Sequence, residues 1–493
     1  MGVIDILHSI AGYLPSIKPP AQPLSTKEKL IWTGVVLVLY FMMLETSVFG
    51  VPRLTGGTDF LQTITASKLG SLLTTGIGPI VLSSIFLQLF VGAGLIKLNL
   101  KDKIERAKFL EVQKILAITL AFVEALVYVA FAKIVPIAAV AGLDPSMVVA
   151  LVVFQIALGS VLVLFLDELT TKYGIGSGIS LFIAAGVSYA VFTGVIGLVF
   201  GPGGFISLMA DGGAEALPTG LLALAPFGFT ILVFLAVVYA ESVKVEIPIA
   251  FERMRGMVPK LPLKFFYVSN IPVIFGVALI TNLQLFAGGA LAGQYWDQGA
   301  PVQSFQALLD SQQYSFDRDG ILPLIGYVDT SGRLNDGILY LLTPIYAGRD
   351  TVTHWAFFST STPFLGIPEW VHAITYIIFL CLVAIMFGLF WVETANMDAK
   401  NVAEQLSNSG LQIPGFRRDP RMLETILNKH IFPLTVMGSA AVGLLAGLAD
   451  LTGALGTGTG ILLTVGILHK MYEQLEQMQA FEMYPSFNKM LGG

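Results

Sequence analysis

Ten long apolar runs, separated by polar stretches, divide the 493-residue chain. They lie at 30–49, 76–96, 112–135, 146–167, 176–200, 226–243, 265–287, 370–392, 430–449 and 455–472. A hydrocarbon core about 30 Å thick is crossed by about 17–25 apolar residues in a helix, and each run has that length. The pattern predicts an all-α, polytopic membrane protein with ten transmembrane helices. The tenth run is the least regular, because Gly453, Gly456, Gly458 and Gly460 crowd its start. Five runs, a Gly-rich connection and five more runs suggest two pseudo-symmetric halves, 30–200 and 226–472, joined by an external linker at 201–225. Transporters built from inverted repeats have a pathway between such halves.

One stretch breaks the pattern. In Gly57–Lys97, Phe60, Leu61, Ile64 and Leu69 are mixed with Gln62, Thr63, Thr65, Ser67 and Lys68. The chain then breaks at Gly76-Ile77-Gly78-Pro79 and continues apolar to Gly94. Polar or non-helical backbone at membrane depth survives only where protein buries it or it lines a water-filled cavity. The stretch points to a pore or transport pathway.

Composition agrees with the membrane reading. The chain is 55% hydrophobic and 12% charged, against about 25% charged in soluble domains. The single cysteine, Cys381, excludes an intrachain disulfide. Residues 1–25 are interrupted by Pro15, Pro19, Pro20 and Pro23 and do not read as a cleavable signal. Ile4, Leu7, Ala11 and Leu14 share one helical face, which predicts a short helix on the membrane surface within the N-terminal segment 1–29.

Charge sets the orientation. With the N-terminus inside, 22 of the 28 lysines and arginines fall on the cytoplasmic side and 6 outside. Both termini, including the tail 473–493, are then cytoplasmic. Two cytoplasmic loops, 245–264 and 393–429, carry Arg253, Arg255, Arg417 and Arg418 among Gly and Pro. Such charges enforce topology, and Arg clusters also dock anionic partners. The long external loop 287–369 exceeds the usual length of structureless loops and predicts a partly folded cap.

The familiar chemistries find no support. Gly174–Gly178 (GIGSG) lacks the lysine of a phosphate loop and follows a membrane run, so its glycines read as close backbone packing. The five histidines have no metal-ligand spacing, and no catalytic motif appears. No enzyme activity, metal or cofactor is expected. Glu124 is the one convincingly deep ionisable residue. An ion-coupled small-solute transporter with a broken helix, the alternative reading, needs more than one. Gln88 and Asn282 are uncharged polar groups within runs. The remaining picture is a polar, uncharged pathway closed by aliphatic groups, which impede ions by fit and dewetting.

Several blocks carry a family resemblance: LQTITASKLGS (61–71), GIGPIV (76–81), KYGIGSGISLFIAAG (172–186), YVSNIPVIF (267–275), MFGLFWVET (386–394), PLTVM (433–437) and GTGILLTV (458–465). Together they resemble the SecY/alpha subunit of the Sec protein-conducting channel, archaeal type. The resemblance spans all ten runs. The loop 287–369 looks longer than usual for the family.

The resemblance implies a central pore subunit. It would translocate unfolded secretory polypeptides across the plasma membrane and insert membrane proteins through a lateral gate. It implies a plug over about 59–75, a short helix including Asp59, Phe60, Gln62, Thr63, Ile64, Ser67, Lys68 and Leu69. It implies a pore ring of Ile77, Val81, Ile175, Ile179, Ile274 and Leu463. Ile77/Val81 and Ile175/Ile179 are i,i+4 pairs, so each pair can face one point. The lateral gate would lie between the second and seventh runs, with the third and eighth beside them, and involve Gln88 and Asn282. Leu82 stands where relatives often carry threonine, which removes one side of a polar bridge across that gate. The arginine loops match ribosome-docking loops. Expected partners are a SecE-like gamma subunit and a small beta subunit, the ribosome with its nascent chain, signal peptides and lipid, with no direct DNA binding.

Overall fold

The computed structural model describes residues 14–22, 24–51, 65–92, 95–96, 98, 102–130, 144–210, 216–248, 250–251, 260–268, 271–292, 326–328, 334–344, 359–362, 366–408, 411–412 and 420–483. Ten long helices run through them: α1 (Thr26–Glu45), α2 (Gly78–Gly92), α3 (Lys103–Ala130), α4 (Pro145–Tyr173), α5 (Gly178–Phe200), α6 (Ala225–Ser242), α7 (Ile271–Ala292), α8 (Glu369–Thr394), α9 (Pro420–Asp450) and α10 (Gly458–Met483). Each overlaps one predicted run. Among the described residues six of them, α3 to α6, α8 and α9, are long and apolar enough to cross a bilayer on length and composition alone. Three of the others, α1, α2 and α10, have visible reasons to fall short. The Gly76–Pro79 break leaves α2 only 15 residues long. α1 has charged residues at both ends, and the second half of α10 is polar.

Local chemistry sets the helix ends. Ser25 and Glu28 form a capping box at the start of α1, with the Ser25 N–H donating to Glu28 Oε2 at 2.8 Å. α4 has Pro145 in its first turn, where proline's missing N–H costs nothing.

In the first half α1 packs on α4, α2 on α3, α3 on α4 and α4 on α5. In the second, α7 packs on α8, α8 on α9, and α10 against α6 and α9. The halves meet at two places. α5 packs on α10, and on another side α2 touches α7 and α8 while α3 touches α7. One buried apolar cluster draws side chains from all ten helices and forms the centre of the bundle.

The polar faces hold the small elements. On the cytoplasmic side β1 (Lys244–Pro248) pairs antiparallel with β3 (Lys260–Lys264), so loop 245–264 is a hairpin. Strand β2 (Ala250–Phe251) pairs antiparallel with a strand from the other loop, Leu411–Gln412. A helix at Ala399–Asn408 packs on α9 and completes this layer. Lys264 is ion-paired to Glu473 at 2.7 Å, which ties the hairpin to α10.

The N-terminal segment lies along the cytoplasmic ends of α3 and α4. Glu168 accepts from the Ile17 N–H at 3.1 Å and pairs with Lys114 at 2.9 Å and Lys172 at 2.7 Å. Lys114 also donates to the Pro15 carbonyl at 2.7 Å. Of the predicted surface-helix positions only Leu14 falls among the described residues, and it sits in a bend.

Outside, a small hairpin (Tyr327–Val328 with Leu334–Asp336) and a short helix (Ile338–Leu341) are among the described parts of the 287–369 connection. The short helix rests on the first turns of α8, and the hairpin touches α7. Tyr340 donates to Glu369 at 2.9 Å, and His372 contacts Glu369 at 3.0 Å and the Thr343 carbonyl at 2.8 Å.

Candidate functional site

The six aliphatic residues of the expected ring come from the turn just before α2, α2 itself, the α4–α5 turn, α5, α7 and α10. Ile77, Val81, Ile175, Ile274 and Leu463 are between 0 and 8% exposed, and Ile179 is half-buried. Ile77, Val81, Ile274 and Leu463 belong to the same central cluster, with Ile179 packed against it. Ile175 is held from α1, since its N–H donates to Thr33 Oγ1 at 3.1 Å. Ile175 and Ile274 also line a cavity of about 540 Å³, whose other walls include Lys29, Ser180, Lys470, Met471 and Gln474. Lys29 and Lys470 place this cavity on the cytoplasmic side of the aliphatic closure.

Residues 65–75 cover the other side of Ile77. The sequence predicts a short helix over 59–75, but the described part is a run of turns. Its polar side chains fasten it to the bundle instead of satisfying a helix. Ala66 is buried, and its carbonyl accepts from the Tyr40 hydroxyl of α1 at 3.0 Å. Lys68 pairs with Glu45 at 2.8 Å, and Glu45 also accepts from Tyr189 of α5 at 2.8 Å. Leu72 N–H donates to the Thr46 carbonyl, and Val48 N–H to the Gly70 carbonyl, both at 3.0 Å. Thr75 and Ser160 of α4 share a hydroxyl–hydroxyl bond. Ser67 is buried, while Leu69 packs beneath the external ends of α3 and α4. Asp59, Phe60, Gln62, Thr63 and Ile64 lie outside the described residues.

The segment joins the closure directly. Ile77 N–H donates to the Thr65 carbonyl at 2.9 Å. Gly76 between them has φ 54°, and a Cβ there would stand 2.2 Å from that carbonyl oxygen. Only glycine fits the turn.

The helices of the seam between α2, α3 and α7, α8 carry both expected gate residues, Gln88 on α2 and Asn282 on α7. Asn282 is buried and donates to Ala278 of its own helix at 2.9 Å. Gln88 donates to Ser84, also within its own helix, at 3.1 Å. Neither described bond crosses the seam. Leu82 is buried. Glu124 of α3 is buried too, and its Oε1 has no partner among the described residues. Its Oε2 lies 2.9 Å from where a Cβ on Gly78 would stand. That puts the carboxylate at the N-terminus of α2, where the helix dipole favours negative charge.

Arg253, Arg255, Arg417 and Arg418 lie outside the described residues. The strands beside them are informative. Ala250 pairs with Gln412 and Phe251 with Leu411, so the bases of the two arginine loops are adjacent.

The sequence alone missed the anchors. Tyr40, Glu45, Tyr189 and Ser160 act on residues far away in the chain, and their only local signal is a polar group inside an apolar run.

The family model for SecY matches residues 71–472. The protein translocase subunit SecY of Methanocaldococcus jannaschii is 42% identical over 493 residues, 99% of each chain. That of Pyrococcus horikoshii is 37% identical over 521 residues, all of both chains. A solved protein-conducting channel superposes with a TM-score of 0.76 at 41% identity, covering 98% of this chain and 99% of that one. Sec61 from a canine ribosome–channel complex superposes with a TM-score of 0.73 at 40% identity, covering the same shares. With the family model matched through nine of the ten helices and these identities running end to end, the chain belongs to the SecY family.

Proposed function

We propose that the chain is the pore-forming subunit of a Sec protein-conducting channel. It passes unfolded secretory polypeptides outward across the plasma membrane and releases hydrophobic segments sideways into lipid. It is a multi-pass membrane protein with cytoplasmic termini, and it works as a channel rather than an enzyme. The observation that carries this reading is the closure: aliphatic side chains from both halves meet above a cytoplasmic cavity, under a segment held by hydrogen bonds. Aliphatic groups have no polar tether to one another, so the ring can widen around an extended chain and close again.

The seam supplies a way sideways. A hydrophobic signal helix gains about 0.8 kcal/mol per CH₂ removed from water. Binding at the seam can therefore bias a closed–open equilibrium of a few kcal/mol. The family implies a SecE-like gamma subunit and a small beta subunit as companions, with the ribosome as the source of the nascent chain. The adjacent bases of the two arginine loops support a single docking surface.

The test is crosslinking of a stalled nascent secretory chain to single cysteines at Ile77, Val81, Ile179 and Leu463, after replacing Cys381. Crosslinks are expected at these positions. None at any of the four would refute the ring. The transporter alternative predicts instead uptake of a defined solute, lost on replacing Glu124.

A further inference from the structure

Helices α5 and α10 carry Ile179 and Leu463, and they begin alike. Each follows a left-handed glycine, Gly176 at φ 74° and Gly456 at φ 71°. A hydroxyl residue comes next, extended Ser177 before α5 and left-handed Thr457 (φ 64°) before α10, and then a glycine as the first helical residue, Gly178 or Gly458. Neither first residue has room for a side chain. A Cβ on Gly178 would stand 2.5 Å from Asp167 Cα, and one on Gly458 would stand 2.0 Å from the Ala449 carbonyl carbon. Both contacts are with the preceding helix, at an aspartate or beside one.

Those aspartates hold the new helix. Ile179 N–H donates to Asp167 Oδ1 at 2.9 Å, and Thr459 N–H donates to Asp450 Oδ1 at 2.8 Å. Ser177 occupies the N-cap position of α5 but makes no side-chain cap bond. Asp167, reaching across from α4, satisfies the helix start in its place. Asp450 is buried, and its Oδ2 also accepts from the Thr459 hydroxyl at 2.5 Å and from Tyr376 of α8 at 2.8 Å. The first N–H groups of a helix have no intrahelical partner, and an anion there is favoured by the dipole. Charge-assisted bonds of this kind are about twice as strong as neutral ones.

The two devices face opposite ways. Lysine and arginine placement puts the α4–α5 turn on the cytoplasmic side and the α9–α10 turn outside. Each also acts on the closure directly. Ile179 is itself the residue whose N–H is held. Leu463 is four residues beyond Thr459, on the same helical face.

We infer that Asp167 and Asp450 are positioning residues for the closure, each seating one ring-bearing helix on its predecessor, one from each side of the membrane. The inference rests on the ring assignment above.

The test uses the assembled channel in proteoliposomes, with resting ion flux as the readout. The variants are Asp167→Ala, Asp450→Ala, Asp167→Asn and Asp450→Asn. The control is Tyr267→Phe, which removes a 2.7 Å hydrogen bond to the Met397 carbonyl without touching α5 or α10. The alanine variants should raise flux by at least about tenfold, since Asp167 gives up its bond to Ile179 and Asp450 gives up three bonds. The asparagine variants keep a weaker acceptor and should raise it by about threefold. The control should stay within about twofold of the parent. Flux in both variant types equal to the control would overturn the inference, and so would a control that rises with them. Where an alanine variant does not assemble, the asparagine-to-control comparison decides. Nascent-chain crosslinks at Ile179 and Leu463 separate the two failures. Lost crosslinks defeat the ring itself, and intact crosslinks with unchanged flux defeat only the positioning role.

Discussion

The buried tether between Tyr40 and Ala66 gives the sharpest quantitative prediction. Tyr40 is fully buried in α1, stacks on Phe182 at 5.0 Å and donates to the Ala66 carbonyl. Tyr40→Phe keeps the ring and its stacking and removes only the oxygen. The Ala66 carbonyl is then left in the core without that donor. An unsatisfied buried acceptor costs about 1–3 kcal/mol. Once the segment leaves its seat, water can satisfy the carbonyl, so the cost falls on the seated state alone. At about 1.4 kcal/mol per factor of ten, the unseated fraction should rise by about five- to a hundredfold. The assay is ion efflux from proteoliposomes holding the assembled channel with no nascent chain. A leak within about twofold of the parent, at equal assembly, would refute the reasoning, since even the low end of the cost predicts more. Lys68→Ala provides the contrast. Its partner Glu45 is close, but the two side chains are 36% and 56% exposed. Exposed pairs are worth about 0–1 kcal/mol, so this change should raise the leak by at most about fivefold, and less at high salt. A larger effect from Lys68→Ala than from Tyr40→Phe would mean that burial does not rank these contacts.

Three further outcomes follow from other parts of the molecule. Deleting Asp59–Ser71 should raise resting conductance, and unchanged conductance would remove the segment from the seal. Reversing Arg253, Arg255, Arg417 and Arg418 to Glu should weaken ribosome binding by at least about tenfold, most at low salt, as counterion release requires; an unchanged affinity at low salt would refute docking through these loops. Burial alone would raise the Glu473 carboxyl, but the hydrogen bond and charge of Lys264 hold it below the ordinary glutamate range. A lowered folded value stabilises above the unfolded pKa of about 4.3 and is lost as pH falls through the folded one. Exchange of the β1–β3 hairpin amides, corrected for intrinsic rate, should therefore rise only below about pH 4. A rise that sets in near neutrality would refute this account of the Lys264–Glu473 pair.

The helices were legible because lipid allows the backbone only helices or closed barrels, and continuous apolar runs of about twenty residues fit the helix, not the barrel's strands of about ten. The break at Gly76–Pro79 was legible for the same reason, as the place where that rule fails. The cytoplasmic strands were not. Lys244–Pro248 and Lys260–Lys264 are five residues each and contain prolines, so they read as loop. The β2 partner lies in a different loop altogether, and no local pattern announces a non-local pair. In the site, i,i+4 spacing links Ile77 to Val81, whose N–H donates to the Ile77 carbonyl at 3.1 Å, but it fails for Ile175 and Ile179, because Ile175 lies in the turn before α5 with left-handed Gly176 between them. Ile274 and Leu463 came only through the family resemblance, because one aliphatic residue in an apolar run looks like any other. The shared starts of α5 and α10 were present as GIGSG and GTGTG, but offset. The glycine that begins the helix is the last of the first pattern and the middle one of the second, and only the left-handed Gly176 and Gly456 show the correct register.

That register also shows how the parts communicate. α2 belongs to three features at once. Its side chains face α7 and α8 at the seam, Ile77 and Val81 enter the closure, and the Ile77 N–H holds the Thr65 carbonyl of the covering segment. A helix that wedges into the seam must shift α2 relative to α7. α2 begins one residue after Ile77, so that shift is felt first at the Ile77–Thr65 bond. Tyr40, Glu45, Thr46 and Ser160 hold residues 65–75 from α1 and α4, on the far side from the seam. The covering segment therefore stays with the first half while α2 moves, and the strain concentrates at Gly76, the one residue between them that is free to rotate into new backbone angles. Under the proposed function, opening at the seam and loosening of the cover are then two consequences of one displacement.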